Sequence, residues 1–496
     1  MTIFLISINI ILNVFSLKKL LHIFQLKDYN FSRYIHYFGL KYTLILILNL
    51  ASFLSVKLFN IDLITTLIYI TNILINSLYF LHLIRNNKTP LKYTQKVIRL
   101  YIISSLLLIL LNLGHCGILT SNLLILIIPP LSLFINIYDK IKNKYYISQA
   151  IKKLEENTVK IIAITGSNGK TSVKDILYKL LSTKYNILKT PKSYNTPLGI
   201  ASFINNSDIK SCNYLILEYG ARRKGDIKKL CKLFGADYGI ITTISSQHLE
   251  TFKTIENILQ TKNELSKFLN NKLCIFNADN IHTIRMYTQK NNLKNLVSTY
   301  FDTDICAKNI KLVNFTTHFT LVVNNQEFEA QTKLLGRHNV LNICLATSLA
   351  IHLGISPQEI TNTISSLTAT PHRLEYLKSH INILDDSYNC SILSAKESIR
   401  VLESTHGKKM IVTPGIIECG KSQYKINYKL GQLCQNVDYL IIVGEHNKHS
   451  IRDGYLSQTN KSILYAKNLE ECKKYFSLLS RDDTLLLLND LPDDYK

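Results

Sequence analysis

The chain has 496 residues and a formal net charge of +23; 47% of its residues are hydrophobic and only 19% are charged. The length allows two or three domains, and the charged fraction is low for a wholly soluble protein. The positive balance suits nucleic acid, anionic lipid or a phosphate-rich substrate. Because the sequence has no arginine-rich block and no nucleic-acid motif, we expect no nucleic-acid partner.

Long apolar runs dominate the first third of the chain. They are Met1–Leu17, Tyr42–Val56, Ile61–Leu83 and Tyr101–Tyr138. A membrane span needs about 20 apolar residues, and the last run is long enough for two spans if Gly114–Gly117 forms a turn. The sequence therefore predicts a membrane domain of about five helices over residues 1–145.

Lysine and arginine residues cluster in alternate connections between these runs and after the last one. Positively charged loops stay in the cytoplasm. The pattern therefore predicts a multi-pass protein of the inner (cytoplasmic) membrane, with membrane lipid as a partner and everything after Lys140 in the cytoplasm. Asp62, His82 and His115 lie near the ends of the runs, whereas a transporter usually carries polar groups at mid-membrane. We interpret the helices as an anchor rather than a conduit.

The ten cysteines are scattered from Cys116 to Cys472 and form no CxxC pair. This spacing argues against a zinc site of paired cysteines. A chain of this length does not need disulfides, so we expect free, buried thiols in a reducing compartment.

After Lys144 short apolar runs alternate with amphipathic stretches such as Ser172–Leu181 and Ile255–Leu269. The predicted strands are Val159–Ile164, Tyr214–Leu217, Tyr238–Thr243, Leu273–Phe276, Ile381–Leu384, Met410–Val412, Tyr439–Val443 and Thr484–Leu488. This alternation predicts an α/β fold with parallel sheets. A hairpin of Lys311–Val323 and Glu327–Lys333 is expected within it, and a domain boundary is expected near Pro371. The predicted domains are residues 146–371 and 372–496.

The strongest motif spans Ile161–Ser172, where a buried strand leads through a glycine-containing loop into a helix. Glycines let backbone N–H groups converge on phosphate oxygens, and a helix N-terminus favours an anion. Lys170 would neutralise the β- and γ-phosphates, and Thr171 or Ser172 would hold Mg²⁺. The predicted nucleotide-binding residues of this P-loop are Gly166, Ser167, Asn168, Gly169, Lys170, Thr171 and Ser172.

The short form GxNGKT[ST] resembles the phosphate loop of the Mur ligases, which join an amino group to a carboxylate at the expense of ATP. The resemblance extends from about Val159 to Tyr495 and implies a P-loop ATPase central domain followed by a Rossmann-like C-terminal domain. It implies ATP and two Mg²⁺ ions as cofactors. The expected partners are ATP and a cell-wall precursor, a nucleotide- or lipid-linked peptide, together with an amino acid or dipeptide.

Three further segments resemble the metal-binding motifs of this family. Leu217–Ala221 and Thr242–Glu250 imply that Glu218 and His248 are magnesium ligands. Lys262 stands where the family carries a carbamylated lysine, whose oxygens would bind the second Mg²⁺. The resemblance therefore implies Lys170, His248 and Lys262 as the catalytic residues.

Two segments resemble nucleotide contacts of the family. Gly336–Asn342 is similar to its G-x-H-N-x-x-N helix start, which implies that Asn339 approaches the adenine. An asparagine at this point is also a common helix cap. His372–Glu375 resembles the junction to the last domain, which implies that Arg373 reaches the nucleotide phosphates.

Asp385–Asn389 resembles the DDSYN motif of the branch that adds D-alanyl-D-alanine to UDP-N-acetylmuramoyl-tripeptide, and implies that Asp386 holds the ribose. Three features depart from that branch. Cys390–Ile392 replaces Ala-Asn-Pro, Pro414–Gly420 only approximates the next motif, and Asn427 stands where histidine is common. The identity of the incoming amine therefore stays open.

The family's usual sugar-binding first domain is not recognisable, which leaves the carboxylate acceptor open as well. One alternative is a Mur-like ligase that acts on a lipid-linked or poly-γ-glutamate-type carboxylate. Another is a catalytically silent membrane scaffold, which the intact motif residues argue against. A transporter ATPase is disfavoured because the apolar runs lack charge at mid-membrane.

Overall fold

The computed structural model describes residues 2–27, 29, 31–37, 70–71, 91–113, 120–191, 194–245, 249–290, 293–388, 390–417 and 419–490. The chain divides into two compact units, Met1–Tyr145 and Tyr146–Tyr495.

The described part of the first unit is helical. Its helices are α1 (Thr2–Leu26), α2 (Gln95–Leu113) and α3 (Thr120–Glu155), of which α3 continues into the second unit. Buried apolar side chains such as Leu20, Phe24 and Leu100 form the core of this unit.

Within the part of the chain that the structure describes, no helix is long and apolar enough to cross a membrane. Charged residues enter α1 at Lys18 and Lys19 and α2 at Lys96 and Arg99. In α1 and α2 they leave uncharged stretches of roughly 15 residues, about 22 Å at 1.5 Å per residue, where a span needs about 20 residues. The uncharged start of α3, residues 120–138, contains Pro129 and Pro130. The predicted multi-pass localisation in the inner (cytoplasmic) membrane is therefore wrong. The predicted transmembrane part of the fold class and the lipid partner lose their support with it.

The other segments of that prediction lie wholly or almost wholly outside the described residues: Tyr42–Val56, Ile61–Leu83 and Gly114–Gly117.

The second unit contains a nine-stranded sheet in the order β2-β3-β1-β4-β5-β6-β7-β8-β9. Its strands are β1 (Lys160–Thr165), β2 (Ile187–Lys189), β3 (Tyr214–Glu218), β4 (Tyr238–Ile241), β5 (Cys274–Asn277), β6 (Lys294–Ser298), β7 (Ile305–Val313), β8 (Thr316–Val323) and β9 (Gln326–Thr332). Neighbours from β2 to β7 run parallel, and β7, β8 and β9 are antiparallel. The parallel strands β1 and β3 are buried almost throughout, as expected of a sheet covered on both faces.

Helices accompany this sheet, and two apolar clusters bury its faces. The helices are α4 (Lys170–Leu181), α5 (Pro197–Asn206), α6 (Asp226–Phe234), α7 (Leu249–Phe252), α8 (Ile255–Leu269), α9 (Ile281–Thr288), α10 (Arg337–His352) and α11 (Pro357–Ser365). Local sequence explains several starts: Thr196 caps α5 ahead of Pro197, and Ser356 caps α11 in a capping box with Glu359.

A six-stranded sheet follows in the order β10-β11-β15-β12-β13-β14. The strands are β10 (Glu375–Lys378), β11 (Asn382–Asp386), β12 (Lys409–Thr413), β13 (Tyr439–Val443), β14 (Ile463–Ala466) and β15 (Thr484–Leu488). Only the β10–β11 pair is antiparallel. The accompanying helices are α12 (Ile392–Glu403), α13 (Gln423–Leu433), α14 (Lys448–Leu456) and α15 (Leu469–Cys472), with 3-10 turns at Gly420–Ser422 and Lys473–Leu478.

The predicted α/β class is confirmed, because both sheets are mixed and mostly parallel. The predicted boundary between residues 371 and 372 falls in the connection between the two sheets, which runs from 366 to 374. The nine cysteines in the described parts of the chain are all buried and free.

The predicted hairpin has the wrong first strand. Residues 311–323 form two strands, β7 and β8, joined by Asn314 and Phe315 with φ of 46° and 56°. Asparagine adopts positive φ more often than other residues with a Cβ, but phenylalanine seldom does, so the sequence carries only a weak turn signal here. The ring of Phe315 stacks on Tyr376 of β10 with centroids 4.0 Å apart and planes at 8°. This tertiary contact stabilises the unusual turn.

Two glycines allow α13 and α14 to pack closely. A Cβ added to Gly431 would lie 2.1 Å from the carbonyl oxygen of Ile451, and one added to Gly454 would lie 1.9 Å from that of Tyr428. The helix backbones therefore touch where a side chain would normally separate them.

We expect Gly431→Ala to lower the free energy of unfolding by about 1–3 kcal/mol, the usual cost of overpacking. On an exposed helix position the same change would stabilise the protein, because alanine has the better helix propensity. Denaturant titration measures the change, with Lys425→Ala on the exposed face of α13 as the control. A Gly431→Ala variant as stable as the control would contradict the close packing.

Candidate active site

The loop between β1 and α4 leaves no room for side chains at its two glycines. Gly166 has φ of 146°, and a Cβ there would lie 1.9 Å from Oγ1 of Thr242. Gly169 has φ of 85°, and a Cβ there would lie 2.7 Å from Oδ1 of Asn342. Because glycines occupy these two positions, no side chain covers the loop backbone there. The backbone N–H groups lie at the N-terminus of α4, which is a favourable position for an anion.

The segment after β4 holds this loop in shape. The backbone N–H of Ser167 donates to the carbonyl of Thr243 at 2.7 Å, and Oγ1 of Thr242 donates to the carbonyl of Asn168 at 2.5 Å. The hydroxyl of Ser167 also donates to the carbonyl of Ser245 at 3.2 Å. The loop conformation is thus set by a neighbouring strand as well as by its own glycines.

Lys170 folds back over the loop. Its Nζ donates to the carbonyls of Gly166 and Ser167 at 2.9 and 2.8 Å. Burial lowers the pKa of Lys170, the Glu218 carboxylate acts to raise it, and Arg373 lowers it further. The ammonium group therefore lies at the mouth of the loop, where phosphate oxygens would meet it.

The carboxylate of Glu218 lies at the end of β3 and is buried. Thr171 donates from Oγ1 to Oε2 at 2.9 Å, and Asn195 donates from Nδ2 to Oε1 at 3.0 Å. Burial alone would raise the pKa of Glu218, but Lys170, Lys174 and these hydrogen bonds bring it below its usual value. The ionised carboxylate and the Thr171 hydroxyl form an oxygen pair of the kind that Mg²⁺ prefers.

Lys262 lies on α8 with only 3% of its surface exposed. Burial and the nearby Lys170 hold the pKa of Lys262 well below its usual value, against the opposite influence of Glu218, Asp226 and Glu264. Burial therefore shifts Lys262 toward its neutral amine form.

His248 lies outside the described residues, as do its neighbours 246 and 247. Its role as a magnesium ligand stays a prediction.

Arg373 reaches this site from the connection before β10. Its Nη2 donates to Oγ1 of Thr171 at 3.3 Å, and its guanidinium group lies over the ring of Tyr388 at 4.3 Å. The residues on either side, His372 and Leu374, have φ of 62° and 51°. Such left-handed residues cost about 1–3 kcal/mol each and persist only where other contacts hold them.

Two aspartates of β11 hold that strained connection. Oδ2 of Asp385 pairs with Nδ1 of His372 at 2.7 Å, and Oδ1 of Asp386 accepts from the backbone N–H of Leu374 at 3.2 Å. Oδ2 of Asp386 also accepts from Ser398 at 2.6 Å. Burial raises the pKa of Asp386 to about 6. In this structure Asp386 therefore positions Arg373, in addition to lining the cavity.

A cavity of about 420 Å³ is lined by residues that belong to both sheets and their connections. All the predicted site residues except His248 line it: Gly166, Ser167, Asn168, Gly169, Lys170, Thr171, Ser172, Glu218, Lys262, Asn339, Arg373 and Asp386. A hydrogen bond also connects the phosphate loop to the last domain, since Nδ2 of Asn168 donates to the hydroxyl of Ser391 at 2.9 Å.

Asn339 uses its amide within the protein. Its Nδ2 donates to the carbonyl of Leu335 at 2.8 Å, and its Oδ1 accepts from Asn342 at 3.3 Å. Sequence reasoning gave no role to Asn342, Asn195, Tyr388 or Ser391, although each lines the cavity or bonds to a residue that does. Asn342 and Tyr388 belong to motifs already recognised, so for these two residues the motif pattern contained the signal.

The Mur ligase middle domain family matches residues 164–350. The UDP-N-acetylmuramoyl-tripeptide–D-alanyl-D-alanine ligase of Bacillus subtilis is 28% identical over 361 residues, which cover 69% of this chain and 77% of the relative. The enzyme of the same name from Borreliella burgdorferi is 31% identical over 335 residues, covering 65% and 68%. The similarity therefore extends well beyond the phosphate loop.

A solved structure agrees with this similarity. The crystal structure of MurF ligase from Thermotoga maritima in complex with ADP is 27% identical, with a TM-score of 0.65. The match covers 70% of this chain and 80% of that one. The arrangement of the sheets is thus shared with a protein that binds an adenine nucleotide.

We expect Asp386→Asn to raise the melting temperature at pH 7.5 and to leave it unchanged near pH 4. The folded-state pKa of Asp386 is raised to about 6, so wild-type protein loses stability as pH rises through that value. Asparagine has no charge to bury, and Ser398 can turn its proton to the carbonyl of Ser394, 3.0 Å away. Thermal unfolding across this pH range measures the difference.

Asp483→Asn is the control of opposite sign. Burial acts to raise the pKa of Asp483, but hydrogen bonds from the backbone of Ser480 and Lys408 lower it below its usual value. Its contribution to stability is therefore lost as pH falls, so this variant should be destabilised at pH 7.5. Equal pH profiles for Asp386→Asn and wild type would contradict the raised pKa.

Proposed function

The chain belongs to the Mur ligase family of ATP-dependent amide-bond ligases, and we propose that it adds D-alanyl-D-alanine to UDP-N-acetylmuramoyl-tripeptide in peptidoglycan precursor synthesis. The names of the similar ligases and the DDSYN sequence Asp385–Asn389 support this branch. The observation that carries the proposal is the single cavity in which the phosphate loop and Glu218 of one sheet meet Arg373 and Asp386 of the other.

The residues present fit ATP. The loop from Gly166 to Gly169 opens at the N-terminus of α4, and Lys170 stands beside it. Arg373 approaches from the opposite side of the cavity. Phosphates bound at the loop would therefore meet a cation from each sheet.

The residues present also fit one magnesium ion, because the Thr171 hydroxyl and the ionised Glu218 carboxylate adjoin each other. Thr171 is favoured over Ser172 because it bonds directly to Glu218. A second ion would be held by His248 and by Lys262 as its carbamate. Magnesium would neutralise charge on the transferred phosphoryl group.

In the proposed reaction a substrate carboxylate takes the γ-phosphoryl group of ATP, giving ADP and an acyl phosphate. The amine of the dipeptide then attacks the acyl carbon, and phosphate leaves. Lys170 would align the β- and γ-phosphates, and the connection bearing Arg373 would close the cavity against water. Catalysis would thus depend on alignment and charge rather than on covalent help from the protein.

The segments Cys390–Ile392 and Pro414–Gly420 differ from the motifs of the D-alanyl-D-alanine-adding branch. They therefore leave one alternative open, a Mur-like ligase that acts on a lipid-linked or poly-γ-glutamate-type carboxylate. The residue at position 391 contacts the phosphate loop through Asn168. The departure is therefore close enough to the cavity to affect substrate choice.

We expect the purified protein to form ADP only when UDP-N-acetylmuramoyl-tripeptide and D-alanyl-D-alanine are both present. Lys170→Ala should abolish turnover with the fold intact, and Lys179→Ala, an exposed lysine of the same helix, should not. A coupled ADP assay measures both. Turnover by Lys170→Ala would contradict the phosphate-loop assignment. ADP binding without turnover on these substrates would favour the alternative acceptors, and ADP binding without turnover on any acceptor would favour a silent scaffold.

We expect activity to fall when carbon dioxide is removed from the buffer and to return with bicarbonate. The neutral amine of a lysine is the form that adds to carbon dioxide, and burial favours that form of Lys262. ADP binding under the same conditions is the control, since it does not require the second ion. Activity indifferent to carbon dioxide, together with an unmodified Lys262 in a high-resolution map, would contradict the carbamate.

A further inference from the structure

Lys174 is a buried cation that the proposed mechanism leaves unused. It lies on α4 one turn after Lys170, and its side chain is 1% exposed. Its Nζ lies 3.5 Å from Oε2 of Glu218, whose side chain is 2% exposed. A buried ammonium group is strongly destabilising unless it is paired. The pairing with Glu218 therefore offsets the cost of burying the Lys174 ammonium group.

Lys170 and Lys174 of α4 act on different groups. Nζ of Lys170 lies against the loop carbonyls of Gly166 and Ser167, whereas Lys174 pairs with Glu218. Oε2 of Glu218 also accepts the hydrogen bond from Thr171. Lys174 thus pairs with the same carboxylate oxygen that would bind a magnesium ion.

The balance of charge around this carboxylate is positive. Lys170, Lys174 and Arg373 surround the pair formed by Glu218 and Thr171. A free divalent cation would be repelled here, whereas nucleotide phosphates would reverse the sign of the field.

We propose that Lys174 is a positioning residue that pairs with Oε2 of Glu218 and so keeps a free divalent cation out of the site until nucleotide phosphates arrive. The inference rests on the proposed binding of ATP at the phosphate loop. It gives the site an order of loading, in which metal enters with the nucleotide rather than before it. It also gives a role to a buried lysine that does not line the cavity.

The test is Mn²⁺ binding to the nucleotide-free protein, followed by electron paramagnetic resonance. We expect Lys174→Met to bind Mn²⁺ at least about tenfold more tightly than wild type, because a buried positive charge beside the ligand has been removed. The gain should vanish in Lys174→Met/Glu218→Gln. Lys179→Met, which removes an exposed lysine from the same helix, is the matched control and should behave as wild type.

Unchanged Mn²⁺ affinity in Lys174→Met, or a gain that persists with Glu218→Gln, would overturn the proposal. If Lys174→Met does not fold, thermal unfolding of the double variant decides. A double variant more stable than Lys174→Met supports the pairing, and one that is no more stable refutes it. Mn·ADP binding by wild type is measured in parallel, and its failure would count against the proposed function rather than against Lys174.

Discussion

The contact between the phosphate loop and the segment after β4 is the constraint on which the site depends. Gly166 lies so close to Thr242 that no side chain fits between them, and Ser167 and Asn168 bond to the same segment. Parallel strands end at one edge of a sheet, so β3, β1 and β4 deliver Glu218, the loop and this segment to one place. The positions of Glu218, the phosphate loop and Thr242 follow from that shared edge.

The second sheet contributes through a strained connection rather than through a rigid strand. Arg373 stands between two residues of positive φ, and the carboxylates of Asp385 and Asp386 bond to the connection on either side of it. Asp386 is buried at the cost of a raised pKa. Such strain is typical of places where a protein uses stability for function. The same connection separates the two sheets, so changes in it would move Arg373 relative to Thr171.

The sequence predicted some parts of this structure well and others poorly. Short apolar strands and the P-loop were recognisable because their patterns are local. The turn at Asn314 and Phe315 was missed, since stacking on Tyr376 stabilises it from a distant part of the chain. The membrane prediction rested on the length of the apolar runs, whereas no helix among the described residues is both long and apolar enough to cross a membrane. The role of Asn339 as a nucleotide contact stays a prediction, with its amide bonded to Leu335 and Asn342.

The sequence by itself determined the α/β class, the phosphate loop and the family resemblance, because short motifs with fixed spacing encode strand, turn and helix in order. Tertiary structure alone decided which groups meet. Lys174 reads as an ordinary helix lysine until β3 brings Glu218 within 3.5 Å of it. Ser391 lies in a segment noted in the sequence only as a departure, and the structure places its hydroxyl against Asn168, 223 residues away along the chain. Contacts between residues so far apart depend on the packing of two sheets, and no local pattern records them.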